Sequence, residues 1–209
     1  YLKALFGKDI RTFVPQMAMS AGTMMALSTS EIIMGKQSSL GPIDPQYGGM
    51  SCAGIIEEFN EACAAVSKNP NLAAVWGPII SKYHPTFIGD CKKAMDWADV
   101  TVKKWLTENM FSEYDDKEEK AAKVVETLSS HNATYSHSRH IHADELWSLG
   151  VKVMQLEGMD NRQIEECKDL QDCVLTIHHS YMHTFASSNA IKIVESHSGN
   201  TMIIASNGK

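Results

Sequence analysis

Between Asp9 and Met34 the sequence changes its pattern three times in quick succession, and few folds accommodate that. Asp9 to Val14 leans toward β-branched and aromatic residues and predicts a short buried strand. Met17 to Leu27 is a run of small residues and methionines, with Gly22 inside it, suited to a closely packed helix. Glu31 to Met34 predicts a second strand. Gly35 to Gly49, rich in Gly, Pro and Ser, predicts a loop. Strand, helix and strand at this spacing imply a crossover connection, hence parallel pairing and an α/β layered structure.

Helical patterns dominate after Gly49. Ala53 to Val66 predicts a helix that ends near Asn69-Pro70. Leu72 to Tyr83 predicts another, interrupted at Gly77-Pro78 and stopped by Pro85. Phe87 to Met110 is long and amphipathic, with Met95, Ala98, Val102, Trp105 and Leu106 at helical spacing. Lys117 to Leu128 is charged on one side, and His142 to Leu149 is a short helix closed by Gly150. Asn161 to Phe185 is long again. Ala190 to Val194 and Thr201 to Ala205 predict a closing pair of strands around Ser198-Gly199-Asn200.

A chain of 209 residues falls within the usual range for one domain. The reading is therefore a single domain over 1–209, with a helical extension over 86–130. A net charge of −6 argues against nucleic acid as a partner, because phosphate binding needs a surplus of Lys and Arg on some face. The five cysteines form no C-x-x-C pair and leave one over, which fits a reduced, cytoplasmic chain with buried thiols. No apolar run approaches the ~20 residues of a membrane span. The abrupt opening at Tyr1-Leu2-Lys3, without Met, reads as a piece of something longer. Membrane association is thus expected only through an upstream segment.

Ser20 stands where a strand-like run gives way to a helix-like one. A sharp turn there lifts a hydroxyl clear of the backbone, and the helix start presents unpaired N–H groups that favour an oxyanion. Ala21 can supply one such N–H, and Gly22 lets the backbone approach closely. From these residues alone, a helix-capping serine in a small-residue packing contact is the readier explanation.

The longer pattern carries a resemblance. Met19-Ser20-Ala21-Gly22-Thr23-Met24 followed by Glu31-Ile32-Ile33-Met34-Gly35 resembles the nucleophile region of signal peptide peptidase A and ClpP relatives. Ser38-Ser39-Leu40-Gly41-Pro42-Ile43-Asp44-Pro45-Gln46 resembles the serine dehydrogenase proteinase family, a ClpP-class group. Lys82-Tyr83-His84-Pro85, Trp105-Leu106 and Ile191 to His197 extend the likeness over most of the chain. The resemblance implies a ClpP/crotonase-like fold, here without its N-terminal part. It further implies peptide-bond hydrolysis through Ser20, with Ala21, Gly22 and Thr23 around the oxyanion and substrate. It also implies self-assembly into a homo-oligomer, a peptide or protein substrate, and no cofactor.

A serine hydroxyl needs a base. Where ClpP carries its histidine, this sequence has Asp44, which leaves Asp44 either to orient a base or to shape a turn. Lys82, ahead of a long helix much as in signal peptide peptidase A, is the first candidate base, and His84 the second. The second oxyanion donor is expected from a Gly-rich loop upstream, which this chain does not contain. His137, His140 and His142 make an H-x-x-H-x-H run, and His178, His179 and His183 share a helix without the Glu of a zinc peptidase. Both read as ordinary histidines, and no metal is expected. Two other classes compete: a catalytically silent assembly protein of the same fold, and a crotonase-like acyl-CoA enzyme, against which the Ser-Ala-Gly turn argues.

Overall fold

The computed structural model describes residues 1–129, 139–158 and 170–206. The sequence reads as one domain; the contacts group it into two compact units, Tyr1–Gln155 and Leu156–Lys209.

The first unit is built on a parallel sheet. Strand β1 (Arg11–Val14) pairs with β3 (Glu31–Met34), and β3 pairs with β7 (Val153–Gln155), both in parallel. Ile32 lies opposite Thr12 on one side and Val153 on the other. The middle strand explains its own composition: Ile32, Ile33 and Met34 are all buried, as expected for a parallel strand covered on both faces. The third strand comes from Val153, some 120 residues downstream of its neighbour, so periodicity near β3 could not have announced it.

Between these strands lies a second, smaller pairing. β2 (Met17–Ala18) runs parallel to β4 (Ser39–Leu40), with Met17 opposite Ser39 and Ala18 opposite Leu40. The sequence assigns Met17 to Leu27 to one helix; instead its first two residues are strand and only Ala21–Leu27, α2, is helical. Tertiary hydrogen bonds override the local pattern here. The Ser39 N–H donates to the Gln16 carbonyl at 3.0 Å, and the Gly41 N–H to the Ala18 carbonyl at 3.0 Å. Leu40 also exchanges both backbone hydrogen bonds with Ile141, each at 2.9 Å. The expected loop over 35–49 therefore contributes strand at Ser39–Leu40. It ends in a small hairpin, β5 (Gln46–Tyr47) and β6 (Met50–Ser51), turned by Gly48 and Gly49 at positive φ.

Helices α1 (Leu2–Phe6), α3 (Cys52–Lys68), α4 (Ala73–Ile80), α5 (Phe87–Glu108), α6 (Lys117–Ser129) and α7 (Ala143–Ser148) complete the unit. On α5, Ala98, Val102 and Leu106 recur every four residues and are buried. They join Leu27, Ile32, Met34, Leu40, Phe111, Leu128 and Ile141 in one core. Thus α5 and α6, expected as an extension over 86–130, carry part of the central core. A satellite cluster of Cys52, Ile55, Phe87 and Cys91 joins α3 to α5.

The second unit holds α8 (Leu170–Ser187) and an antiparallel hairpin, β8 (Ala190–Glu195) with β9 (Thr201–Ala205), closed through Gly199 at φ 79°. The expected strand pair falls here. The expected helix from Asn161 is seen from Leu170 onward, its first residues lying outside the described ones. No described helix is long and apolar enough to cross a membrane.

Candidate active site

The Ser20 turn departs most from ordinary backbone. Its φ of 51° and ψ of −116° put a non-glycine residue where L side chains rarely go. The chain arrives on β2, reverses at Met19-Ser20 and enters α2 at Ala21. Ser20 is the N-cap residue of α2, yet its side chain makes no capping bond. A capping serine ordinarily has extended backbone angles and turns its hydroxyl onto the helix N–H groups. This one does neither. Strain of this kind, concentrated on a serine between strand and helix, is characteristic of nucleophile turns.

The neighbouring backbone divides its donors. The Gly22 N–H is taken by the Met19 carbonyl at 2.8 Å, and the Met24 N–H by the Ser20 carbonyl at 3.1 Å. No described backbone carbonyl accepts from Ala21, whose N–H is the donor next to Ser20 that stays open for an incoming oxygen. A Cβ at Gly22 would meet the Ala18 side chain at 3.4 Å, an ordinary contact distance.

Thr23 lies fully buried beneath the turn. Its hydroxyl is 2.7 Å from the Ala18 carbonyl and 2.9 Å from the Gly41 carbonyl, and accepts from the Gly41 N–H at 3.1 Å. It thus ties β2, α2 and the segment after β4 together. Its side chain faces these backbone groups, away from the surface.

Asp44 is buried and accepts from the Ser51 hydroxyl at 3.0 Å. The Ser51 oxygen in turn accepts from the Gly54 N–H at 3.4 Å, capping α3. Asp44 also lies close enough to Cys52 to disfavour its thiolate. Burial, above all, and contact with Cys91 push the Cys52 thiol up to about 12.

Lys82 and His84 occupy the connection between α4 and α5, and both are exposed. The backbone N–H of Lys82 closes the end of α4 onto Ile79 at 3.1 Å. His84 directs Nδ1 to the Pro85 carbonyl at 2.8 Å and packs against Phe87, ring centroids 4.9 Å apart. Among the described residues, no hydrogen bond joins either side chain to Ser20. Of the residues singled out from sequence, the structure gathers Ser20, Ala21, Gly22 and Thr23 in one turn; Asp44 and His84 bond elsewhere, and Lys82 stands exposed after α4.

One contact escaped the sequence reading. His140 places Nδ1 2.7 Å from the Ser39 hydroxyl, and His142 places Nδ1 3.0 Å from the Ser38 carbonyl. These histidines flank the Leu40–Ile141 bridge and fix the segment after residue 138 to β4. His137 lies outside the described residues. Among the described residues no group of three or more His, Cys, Asp or Glu is placed to hold a metal ion.

A profile of the ClpP-like SDH-type serine proteinases matches residues 3–157, which takes in the turn, the sheet and the helices around it. The chain belongs to that family. The match ends where the first unit ends, within two residues. Among curated proteins, Uncharacterized protein MJ1495 of Methanocaldococcus jannaschii is 29% identical over 140 residues, covering 67% of this chain and 40% of that one. Uncharacterized protein MJ0137 of the same organism is 40% identical over 53 residues, covering 25% of this chain and 18% of that one. The chain therefore spans well under two thirds of either relative. No solved structure matches.

Proposed function

We propose that the chain carries the nucleophile turn of a peptide-bond hydrolase with crotonase-type layering, in which Ser20 attacks the scissile carbonyl. The observation that carries this reading is the backbone of Ser20, held at positive φ between β2 and α2 with its hydroxyl unused as a cap. Membership of a serine proteinase family supports it. In this mechanism the Ala21 N–H holds the developing oxyanion, and the buried Thr23 bridge keeps the turn from relaxing. The base is Lys82, with His84 as its alternative. Since both are exposed in the α4–α5 connection, that connection closes over Ser20 when substrate binds, or a neighbouring copy of a homo-oligomer supplies the group. Peptides or unfolded proteins are the substrate class, and the chain works in the cytoplasm or at a membrane face.

The test is labelling with a fluorophosphonate and hydrolysis of a fluorogenic peptide library. Wild-type protein should label and Ser20→Ala should not. Labelling that survives Ser20→Ala removes Ser20 as the nucleophile.

A second reading, a catalytically silent assembly protein, draws on a specific observation: neither base candidate is hydrogen-bonded to Ser20 among the described residues. Intact wild-type protein that never labels favours it.

A further inference from the structure

A cleft of about 790 Å³ opens between α3, α5 and α6 in the first unit, and none of the residues of the Ser20 turn lines it. Its walls are apolar, formed by Ile56, Met95, Val100 and Val125. Val100, in that lining, is 68% exposed. An apolar side chain standing in water within an apolar cleft marks a surface that gains from being covered.

The charges at the cleft have one dominant sign. Glu57 from α3, Asp99 from α5 and Glu126 from α6 all line it. The lysine in the lining, Lys103, is engaged by Glu118 at 3.3 Å. Asp99 is the most demanding of the three. Its Oδ1 is shut off from solvent and has no hydrogen-bond partner among the described residues. Burial holds its carboxyl above the usual carboxylate range, outweighing the opposing effect of the Ser129 hydroxyl. A buried carboxylate oxygen without a donor is costly, and a cation nearby relieves that cost.

We infer that this cleft binds a basic peptide segment, whose apolar side chains lie along Ile56, Val100 and Val125 and whose Lys or Arg groups meet Glu57, Asp99 and Glu126. Charge decides among occupants. An anionic lipid or nucleotide meets three carboxylates. A neutral apolar molecule fills the walls but leaves Glu57, Asp99 and Glu126 without a counter-charge. A second copy of this chain brings a net charge of −6 to an acidic rim. A segment alternating apolar and basic residues satisfies both walls and rim, in the manner of a helix or strand laid into a groove. The site goes beyond the hydrolytic reading and does not depend on it.

The experiment uses the intact chain and a fluorescein-labelled synthetic peptide of leucine and lysine at helical spacing, followed by anisotropy. Saturable binding is expected, weakening as salt is raised. Glu57→Lys with Glu126→Lys, and separately Val100→Asp, should each weaken it by roughly tenfold or more. All three positions are exposed, and circular dichroism checks that the variants fold. Glu113→Lys with Asp115→Lys, which reverses acids outside the cleft, should change affinity little beyond the salt effect. A leucine–glutamate peptide should not bind. Equal losses in the cleft and control variants would reduce the effect to general acidity and overturn the proposal. So would absence of binding. If sedimentation shows a self-associated protein that Val100→Asp turns into monomers, the occupant is a second copy and the peptide assignment fails.

Discussion

The hydroxyl of Thr23 meets the backbone of Gly41 at both its N–H and its carbonyl, at 3.1 and 2.9 Å, eighteen residues along the chain. This bridge lies one helical turn from Ser20, on a side chain shut off from water. Replacing Thr23 with Val keeps the shape and deletes the oxygen. Buried hydrogen bonds contribute about 1 kcal/mol, more when a partner is left unpaired. Thr23→Val should therefore lower unfolding stability by about 1–2 kcal/mol, read from the urea midpoint, and should slow labelling of Ser20. A variant as stable as wild type would mean that the bridge contributes nothing to the turn.

Ser20 itself should stand in opposition to stability. A non-glycine residue in so sparsely populated a region costs of order 1–3 kcal/mol, and glycine relieves most of that. Ser20→Gly should raise the stability of the folded chain by about 1 kcal/mol while abolishing fluorophosphonate labelling. A destabilised Ser20→Gly would show that the backbone there is not under strain.

The thiols should sort by environment. Cys52 is buried and its thiol pushed up to about 12, whereas Cys63, also on α3, is exposed. Thiolate is the reactive form, so iodoacetamide at about pH 8 should modify Cys63 in the folded protein and spare Cys52 until denaturant is added. Peptide mass spectrometry distinguishes the two. Equal rates at both sites would contradict the packing of the α3–α5 cluster.

Asp99 gives a pH dependence whose sign is fixed. Its carboxyl is harder to ionise in the folded chain than in the unfolded one, chiefly through burial. The unfolded state then releases its proton first, and stability falls as pH rises from the ordinary aspartate value through the raised one. Asp99→Asn removes that loss. Its midpoint in denaturant should exceed that of wild type near neutrality, and the difference should shrink as pH is lowered toward the ordinary aspartate range. A constant difference across pH would exclude ionisation of Asp99 as its cause.

The sequence was informative where chemistry is local. The β-branched run at Ile32-Ile33 and the four-residue recurrence on α5 each carry a backbone preference that tertiary contacts reinforce. Ser20 was legible too, as a polar residue between two patterns. What the residues nearby did not announce was pairing over distance. Met17-Ala18 has no strand signature and becomes strand only because Ser39-Leu40 lies alongside. The Ser39–His140 contact joins residues a hundred and one positions apart, and spacing patterns do not reach that far. The resemblance puts Thr23 around the oxyanion and substrate, and no spacing pattern announces the bonds its hydroxyl makes to the backbone of Ala18 and Gly41. The cleft acid Asp99 looked like one more charge on an amphipathic helix, and only the convergence of three helices encloses it.

The Leu40–Ile141 bridge also sets an order of events. β2 is held by Leu40, and Leu40 by Ile141, so the strand leading to Ser20 is braced by a residue made a hundred positions later. Contacts this remote form late, because a long loop must close before they form. Until residue 141 is made, Leu40 lacks this partner, and the β2–β4 pair that leads to Ser20 is held from one side only. A growing polypeptide of this kind thus gains the full bracing of the Ser20 bend only once most of its first unit exists.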